Sequence, residues 1–209
     1  MSAILAFVTA MVLILISIFR GKKARPAVEP VLVKRYVHPG HTWARETGDG
    51  NIVVGVDAFA QSLIGAVHDM KLPRVLKHVS QGAAALDLWH GQRHVRLVSP
   101  VSGWVVEKNE MVVNDPSLVN SAPYGDGWLF KVKASRLPNE LANLLTGKPA
   151  MQWNDVVREQ LRRLFTTTPA LLMQDGGVMV ENLAERCSDE EWKTICKEFF
   201  MYEEQSKTS

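Results

Sequence analysis

The residues of this chain whose types could do chemistry stop short of a site wherever they cluster. His90 and His94 are four apart, a spacing that would set two imidazoles on one helix face, but the segment reads as a hairpin and no third metal ligand is near. Cys187 and Cys196 are too few for a disulfide framework, have no metal-ligand spacing with other Cys or His, and read as reduced, helix-borne residues. Asp175-Gly176-Gly177 reads as a turn, since a phosphate cradle would need a strand before it and a GxGxxG or GxxxxGKS/T run that is missing. His38, His41, His68 and His78 are scattered, with no Ser, Cys or Asp beside them in a nucleophile motif. The sequence therefore predicts no catalytic residue, no metal, no cofactor and no small-molecule substrate: a non-enzyme.

The elements that would position these residues fall into four stretches. Met1 to Phe19 contains no charged side chain, and at about 1.5 Å per residue it would extend roughly 28 Å, against a bilayer core of about 30 Å. Residues 1–20 are expected to form a single-pass transmembrane helix. Ala3, Ala6 and Ala10 would permit close packing against another helix without requiring it. A cleaved signal peptide expects basic residues before the apolar run, whereas Arg20, Lys22, Lys23 and Arg25 follow it. Their position predicts a C-terminal body on the cytoplasmic side of the inner membrane, with these four cations at the membrane interface.

Residues 21–40 read as a basic, Pro-containing tether in which Val31 to Val37 could add an edge strand. Over 41–136, β-rich runs alternate with Gly, Pro, Asn and Asp punctuation, which predicts an antiparallel β domain, and Ala83 to Leu86 suits a buried strand or its start. Asp57 to Ile64 interrupts the rhythm as one capped helix. Over 137–209 the character is helical: Pro138 to Leu145, then Pro149 to Phe165 with Trp153, Val156, Val157, Leu161, Leu164 and Phe165 as its apolar stripe. The last helix is marked by the capping pair Ser188 and Glu191 ahead of Trp192, Ile195, Phe199 and Phe200. With 46% apolar and 22% charged residues the chain can bury a core, and its net charge of +2 gives no argument for nucleic acid.

Several signatures occur in an order that resembles the H protein of the glycine cleavage system. They are His41-Thr42-Trp43; Val54-Gly55-Val56 followed by Ala60-Gln61 and Gly65; Leu72-Pro73 and Gly82; and Pro100-Val101-Ser102-Gly103. Asn109, Asp115 to Asn120, and Pro123 to Lys133 then look like the second half of that family nearly residue for residue. The resemblance implies a mainly β fold with helical additions, a barrel-sandwich hybrid of the lipoyl/biotinyl type that displays a tight hairpin. It also implies a carrier whose lipoyl group is joined by an amide to a lysine of that hairpin.

Counting back from Pro100 puts the family's modified lysine on Gln92 and its nearby acidic position on Trp89, and no lysine occurs between Lys77 and Lys108. A carboxamide is not a nucleophile, and the guanidinium of Arg93 stays protonated, so the carrier chemistry is expected to be lost. Trp89, His90, Arg93, His94 and Arg96 leave two readings of the hairpin. It is a partner-docking surface, or its Trp covers the core while its charges face water.

The function expected from these features is a membrane-anchored accessory or structural subunit of a respiratory or photosynthetic complex. Its partners would be integral-membrane subunits and the lipid bilayer, in the context of electron transport or photosynthesis. The alternatives are a membrane-tethered lipoyl-type carrier modified elsewhere, such as at Lys108, and a binding module of glycine cleavage or lipoate metabolism.

Overall fold

The computed structural model describes residues 34–164, 173–174, 178–179 and 183–200. Its framework is two antiparallel sheets packed over one core, whose sequence order is β1 (Tyr36–His38), β2 (Thr42–Glu46), β3 (Ile52–Val56), helix α1 (Ala58–Ile64), β4 (Asp69–Lys71), β5 (His78–Val79), β6 (Ala84–His90), β7 (Arg93–Val98) and β8 (Gly103–Lys108). Helices α2 (Glu110–Asn114) and α3 (Leu118–Ser121), strand β9 (Phe130–Ala134), and helices α4 (Leu137–Leu141) and α5 (Gly147–Leu164) follow. A short pair, β10 (Met173–Gln174) and β11 (Val178–Met179), precedes α6 (Leu183–Arg186) and α7 (Asp189–Phe199). The larger sheet runs β1-β2-β3-β9-β8-β5 and the smaller β4-β6-β7.

The core is built around β3. Ile52, Val53, Val54 and Val56 are all buried, as expected of a strand with neighbours on both edges and covered faces. Gly55 interrupts that run because a Cβ there would stand 2.3 Å from the Trp43 ring. The ring is fully buried and its Nε1 donates to the Val56 carbonyl at 3.1 Å. Helix α1 starts where Asp57 accepts the Ala60 amide at 2.9 Å and turns Phe59, Ala60, Leu63 and Ile64 inward. The expected capped helix over Asp57 to Ile64 is present.

Two asparagines explain why the stretch after β8 folds as it does. Asn109 caps α2 through Oδ1 while its Nδ2 donates to the Asp126 and Trp128 carbonyls, both at 2.7 Å. Asn120 accepts the Val67 amide at 3.0 Å and donates to Gly65 O at 2.8 Å. Each carboxamide therefore closes a loop against an element distant in sequence, which an aliphatic side chain could not do.

The C-terminal helices pack on this sandwich. On α5, Val157 and Leu161 are buried and Trp153 packs against the core, but Val156 and Leu164 are exposed. The expected stripe was thus too wide, because position 156 is turned about 100° from 157 on an α-helix. On α7, Ser188 and Glu191 form the expected capping box. Trp192, Ile195, Cys196, Phe199 and Phe200 are buried, with the Phe199 ring 5.4 Å from Phe59 and Phe200 5.7 Å from His41. Both cysteines are free thiols. Cys196 lies within α7, whereas Cys187 lies just ahead of its cap, between helices.

Among the described residues no helix is long and apolar enough to cross a membrane. The expected span over 1–20 and the interface cations Arg20, Lys22, Lys23 and Arg25 lie outside those residues.

Candidate functional site

Strands β6 and β7 form a hairpin with a two-residue tip. Trp89 faces His94 and His90 faces Arg93 across the pair, leaving Gly91 and Gln92 as the connection. Gly91 has φ +57°, and the first loop position of a two-residue turn of the II′ type requires a positive φ that glycine adopts without strain. Gln92 is exposed at the end of this projection. A primary amide at the tip provides hydrogen-bonding groups and no nucleophilic amine. Lys108 stands at the far end of β8, paired with Phe130 in the other sheet.

The basic and aromatic residues expected to dock a partner divide into two sets. Trp89 stacks on His94 at 5.6 Å between ring centroids, and Arg96 pairs with the buried Asp87 carboxylate at 2.7 Å. These contacts lie within the hairpin. His90 and Arg93 instead reach the chain's own C-terminal segment. His90 has Ala66 O at 2.7 Å from Nδ1 and the Glu185 carboxylate at 2.9 Å from Nε2. Arg93 Nη1 donates to Ala184 O, while Nη2 donates to Cys187 O at 2.6 Å and to Asp189 Oδ1 at 2.9 Å. Its guanidinium also lies 5.7 Å from the Trp192 ring.

The capping box accounts for this arrangement. Helical continuity would pair the Ser188 amide with Ala184 O and the Glu191 amide with Cys187 O, four residues back in each case. The Ser188 amide donates to Glu191 Oε2 and the Glu191 amide to Ser188 Oγ. Both carbonyls are thereby left without helical donors, and Arg93 supplies them. The same box holds the Glu191 carboxyl below the usual carboxylate range through the Ser188 hydrogen bonds. Burial of Trp192, Ile195, Phe199 and Phe200 contributes roughly 1.5–3 kcal/mol each before ordering entropy is counted. Hydrogen bonds to a charged group contribute about 1.5–3 kcal/mol apiece. The apolar face therefore supplies most of the attachment, and the guanidinium fixes where α6 and α7 sit on the hairpin.

Glu185, Ala184, Cys187 and Asp189 were not foreseen as part of the site. The signal available was charge: an acidic run, Glu185 and Asp189 to Glu191, against a basic hairpin roughly 90 positions away. Beside the tip an open groove is lined by Gln92, Arg93, His94, Lys193, Cys196 and Lys197. Burial pushes the thiol of Cys196 up to about 12 and that of Cys187 up to about 11, the latter helped by the nearby Glu191 carboxylate. His90 and His94 lie on opposite strands of the hairpin. No group of three His, Cys, Asp or Glu among the described residues could hold a metal ion.

Two small antiparallel sheets packed face to face, with a tight hairpin projecting from one of them and helices added at the C-terminal end, define a β-sandwich domain of the H-protein kind. The glycine cleavage H-protein family model matches residues 34–156, and the chain belongs to that family. It is 44% identical over 106 residues to a glycine cleavage system H protein of Streptomyces coelicolor, covering 51% of this chain and 82% of the relative. It is 45% identical over 94 residues to that of Alteromonas mediterranea, covering 45% and 73%. A crystal structure of a glycine cleavage system H protein from Mycobacterium marinum superposes with a TM-score of 0.53 at 29% identity, over 59% of this chain and 98% of that one.

Membership in this non-catalytic family means that the chain is not an enzyme. It also corrects the expected function. An accessory subunit of a respiratory or photosynthetic complex is overturned by relatives that are named glycine cleavage system H proteins, and electron transport and photosynthesis fall with it. That expectation rested on an association between single spans and energy-converting complexes, with no residue to carry it.

Proposed function

We propose that this chain is a non-lipoylated, membrane-tethered binding module of glycine cleavage or lipoate metabolism. The observation that carries the reading is Gln92, exposed at the two-residue tip of the β6–β7 hairpin, at the position that counting back from Pro100 assigns to the family's modified lysine. Without an amine there, the tip can be recognised but not acylated. Relatives at 43–45% identity are named glycine cleavage system H proteins, which favours the enzymes of that system as partners. The uncharged run Met1 to Phe19 and the following Arg20, Lys22, Lys23 and Arg25 support a tether with the body on the cytoplasmic side.

The test is the intact mass of the full chain purified from its own host, combined with identification of what co-purifies in mild detergent. The expected result is an unmodified mass together with soluble enzymes of glycine cleavage or lipoate attachment. A lipoyl increment on the mass would overturn the non-lipoylated reading, and their absence from the purified material would overturn the binding module.

A further inference from the structure

The β5 edge of the larger sheet carries an apolar surface that the hairpin does not use. Leu76 is 77% exposed, Trp104 54%, Val75 43% and Val106 37%. They form one patch. The Leu76 amide donates to Val105 O at 2.8 Å and the Val105 amide to Lys77 O at 3.0 Å, which fixes Val75 and Leu76 beside β8. Val105 points inward and is fully buried, so Trp104 and Val106 on either side of it point out. Across the sheet His78, Trp104 and Lys133 are direct neighbours in register on that outer face, with the His78 and Trp104 rings 5.2 Å apart.

Leu76 also has φ +66°, a left-handed conformation that glycine adopts freely and a bulky side chain rarely does. A strained backbone that presents an exposed leucine costs stability and covers no core, which is the kind of outlier that points to a function. Cations surround the patch. Arg74 and Lys77 flank Val75 and Leu76, and Lys133 lies beside Trp104; none of the three forms an ion pair with any described residue. Glu107, on the same strand as Trp104 and Val106, is paired with Lys131 at 2.7 Å.

We propose that this face, Leu76, Val75, Trp104 and Val106 ringed by Arg74, Lys77 and Lys133, rests on the surface of an anionic lipid bilayer. An exposed aliphatic loop tip and a Trp insert at the headgroup boundary, while basic residues beside them take the negative surface potential. A protein groove would be matched by the apolar side chains alone; the unpaired cations around them favour anionic headgroups. The proposal deepens the membrane-tethered part of the function proposed above, yet a body can lie on a bilayer with or without a spanning anchor.

The test uses the full chain mixed with vesicles of phosphatidylcholine, alone or with phosphatidylglycerol, whose acyl chains carry bromine as a tryptophan quencher. The expected result is quenching that needs phosphatidylglycerol, weakens as salt is raised, and is mostly lost in Trp104→Phe. Leu76→Gly relieves the strained φ, so it should keep or raise the thermal midpoint while losing the quenching. Equal quenching of the parent and Trp104→Phe, or none in either, would overturn the proposal. So would a Leu76-dependent dimer, detected by crosslinking, without quenching. Extraction of the same vesicles with alkaline carbonate reports the anchor separately. A chain that is stripped off yet quenched through Trp104 keeps this surface and loses the tether, while a chain that resists extraction without such quenching keeps the tether and loses this surface.

Discussion

Arg93 on the hairpin and Cys187 ahead of the last helix lie 94 positions apart, and Nη2 of the first donates to the carbonyl of the second at 2.6 Å. That carbonyl and the carbonyl of Ala184 lose their helical donors to the Ser188 capping box. The hairpin tip and the C-terminal helices are consequently one structural unit, joined by a side chain that is only 19% exposed.

Replacing Arg93 with Ala should therefore loosen α6 and α7 before it disturbs the sandwich. Each charge-assisted bond lost costs up to about 1.5–3 kcal/mol, less where water reaches the freed carbonyl. Lys at this position should recover part of the loss, because an ammonium cannot serve both carbonyls and Asp189 in the guanidinium's planar geometry. The measurement is amide hydrogen exchange. Protection should fall over 183–200 while β3 and β9 keep theirs, and uniform loss across the domain would show that the helices are not separately held.

This junction marks the limit of what the sequence could reveal. The capped helix at Asp57, the Ser188 box and the helical character of residues 149–164 were legible because their signals lie within a turn or two. The apolar stripe of α5 is one column narrower than its periodicity suggests, with Val156 and Leu164 exposed, since period alone does not say which edge of a stripe meets the core. The docking of Arg93 on Ala184 and Cys187 had no local signal at all, because main-chain carbonyls carry no sequence identity. The fold came through a resemblance in specific residues such as Asn109 and Asn120, whose carboxamides the structure shows closing loops.

The buried pair of His41 and Asp57 should be a second weak point. Asp57 Oδ2 lies 2.9 Å from His41 Nδ1 and Oδ1 accepts the Ala60 amide. The imidazole is 1% exposed, stacked on Phe59 and tilted against Trp153. Asp57→Ala removes a helix cap, about 1 kcal/mol, and strands a buried imidazole, about 1–3 kcal/mol. A drop in stability of roughly 2–4 kcal/mol is expected in urea unfolding, with Asp57→Asn milder because its carboxamide oxygen can still cap. Equal losses for the two variants would assign the effect to the charge and not to the cap.

Gly55 and Gly48 make a matched comparison. At Gly55 a methyl group would enter the ring of Trp43, with three ring atoms between 2.3 and 2.7 Å, whereas at Gly48 nothing lies within 4 Å. Trp43 is fully buried and its Nε1 is tied to the Val56 carbonyl, so Gly55→Ala should cost about 1–3 kcal/mol or more as an overpacked core. Gly48→Ala should stay within about 0.5 kcal/mol. Thermal midpoints of the two variants decide this, and a tolerated Gly55→Ala would mean that the ring has room to move.

The cysteines should be silent at neutral pH and should weaken the fold in strong base. Both thiols are pushed up by burial, Cys187 to about 11 and Cys196 to about 12, from an ordinary value of 9.0. A folded-state value above the unfolded one favours folding while pH is below 9.0, and that contribution disappears as pH rises through the folded values. Stability should thus decline from about pH 9 to about pH 12, and less so in Cys196→Ala. Alkylation by iodoacetamide at pH 7 should follow unfolding and not precede it. Rapid labelling of the native protein would contradict the burial of both groups.

Gln92→Lys tests whether the missing amine is what separates this chain from acylation. The substitution places a primary amine on an exposed tip whose backbone already has the two-residue geometry. Co-expression with a lipoate ligase and lipoate should leave the parent mass unchanged and add a lipoyl group to Gln92→Lys. The groove beside the tip is lined by α7 residues, so the yield should rise when Arg93→Ala is added and α7 is less tightly held. If both lysine variants remain unmodified, the amine is not the sole barrier. Trp89, at the position where the family resemblance implies an acidic residue, is then the next to change, and modification that appears only with Trp89→Glu would assign the loss to recognition of the hairpin as well as to its chemistry.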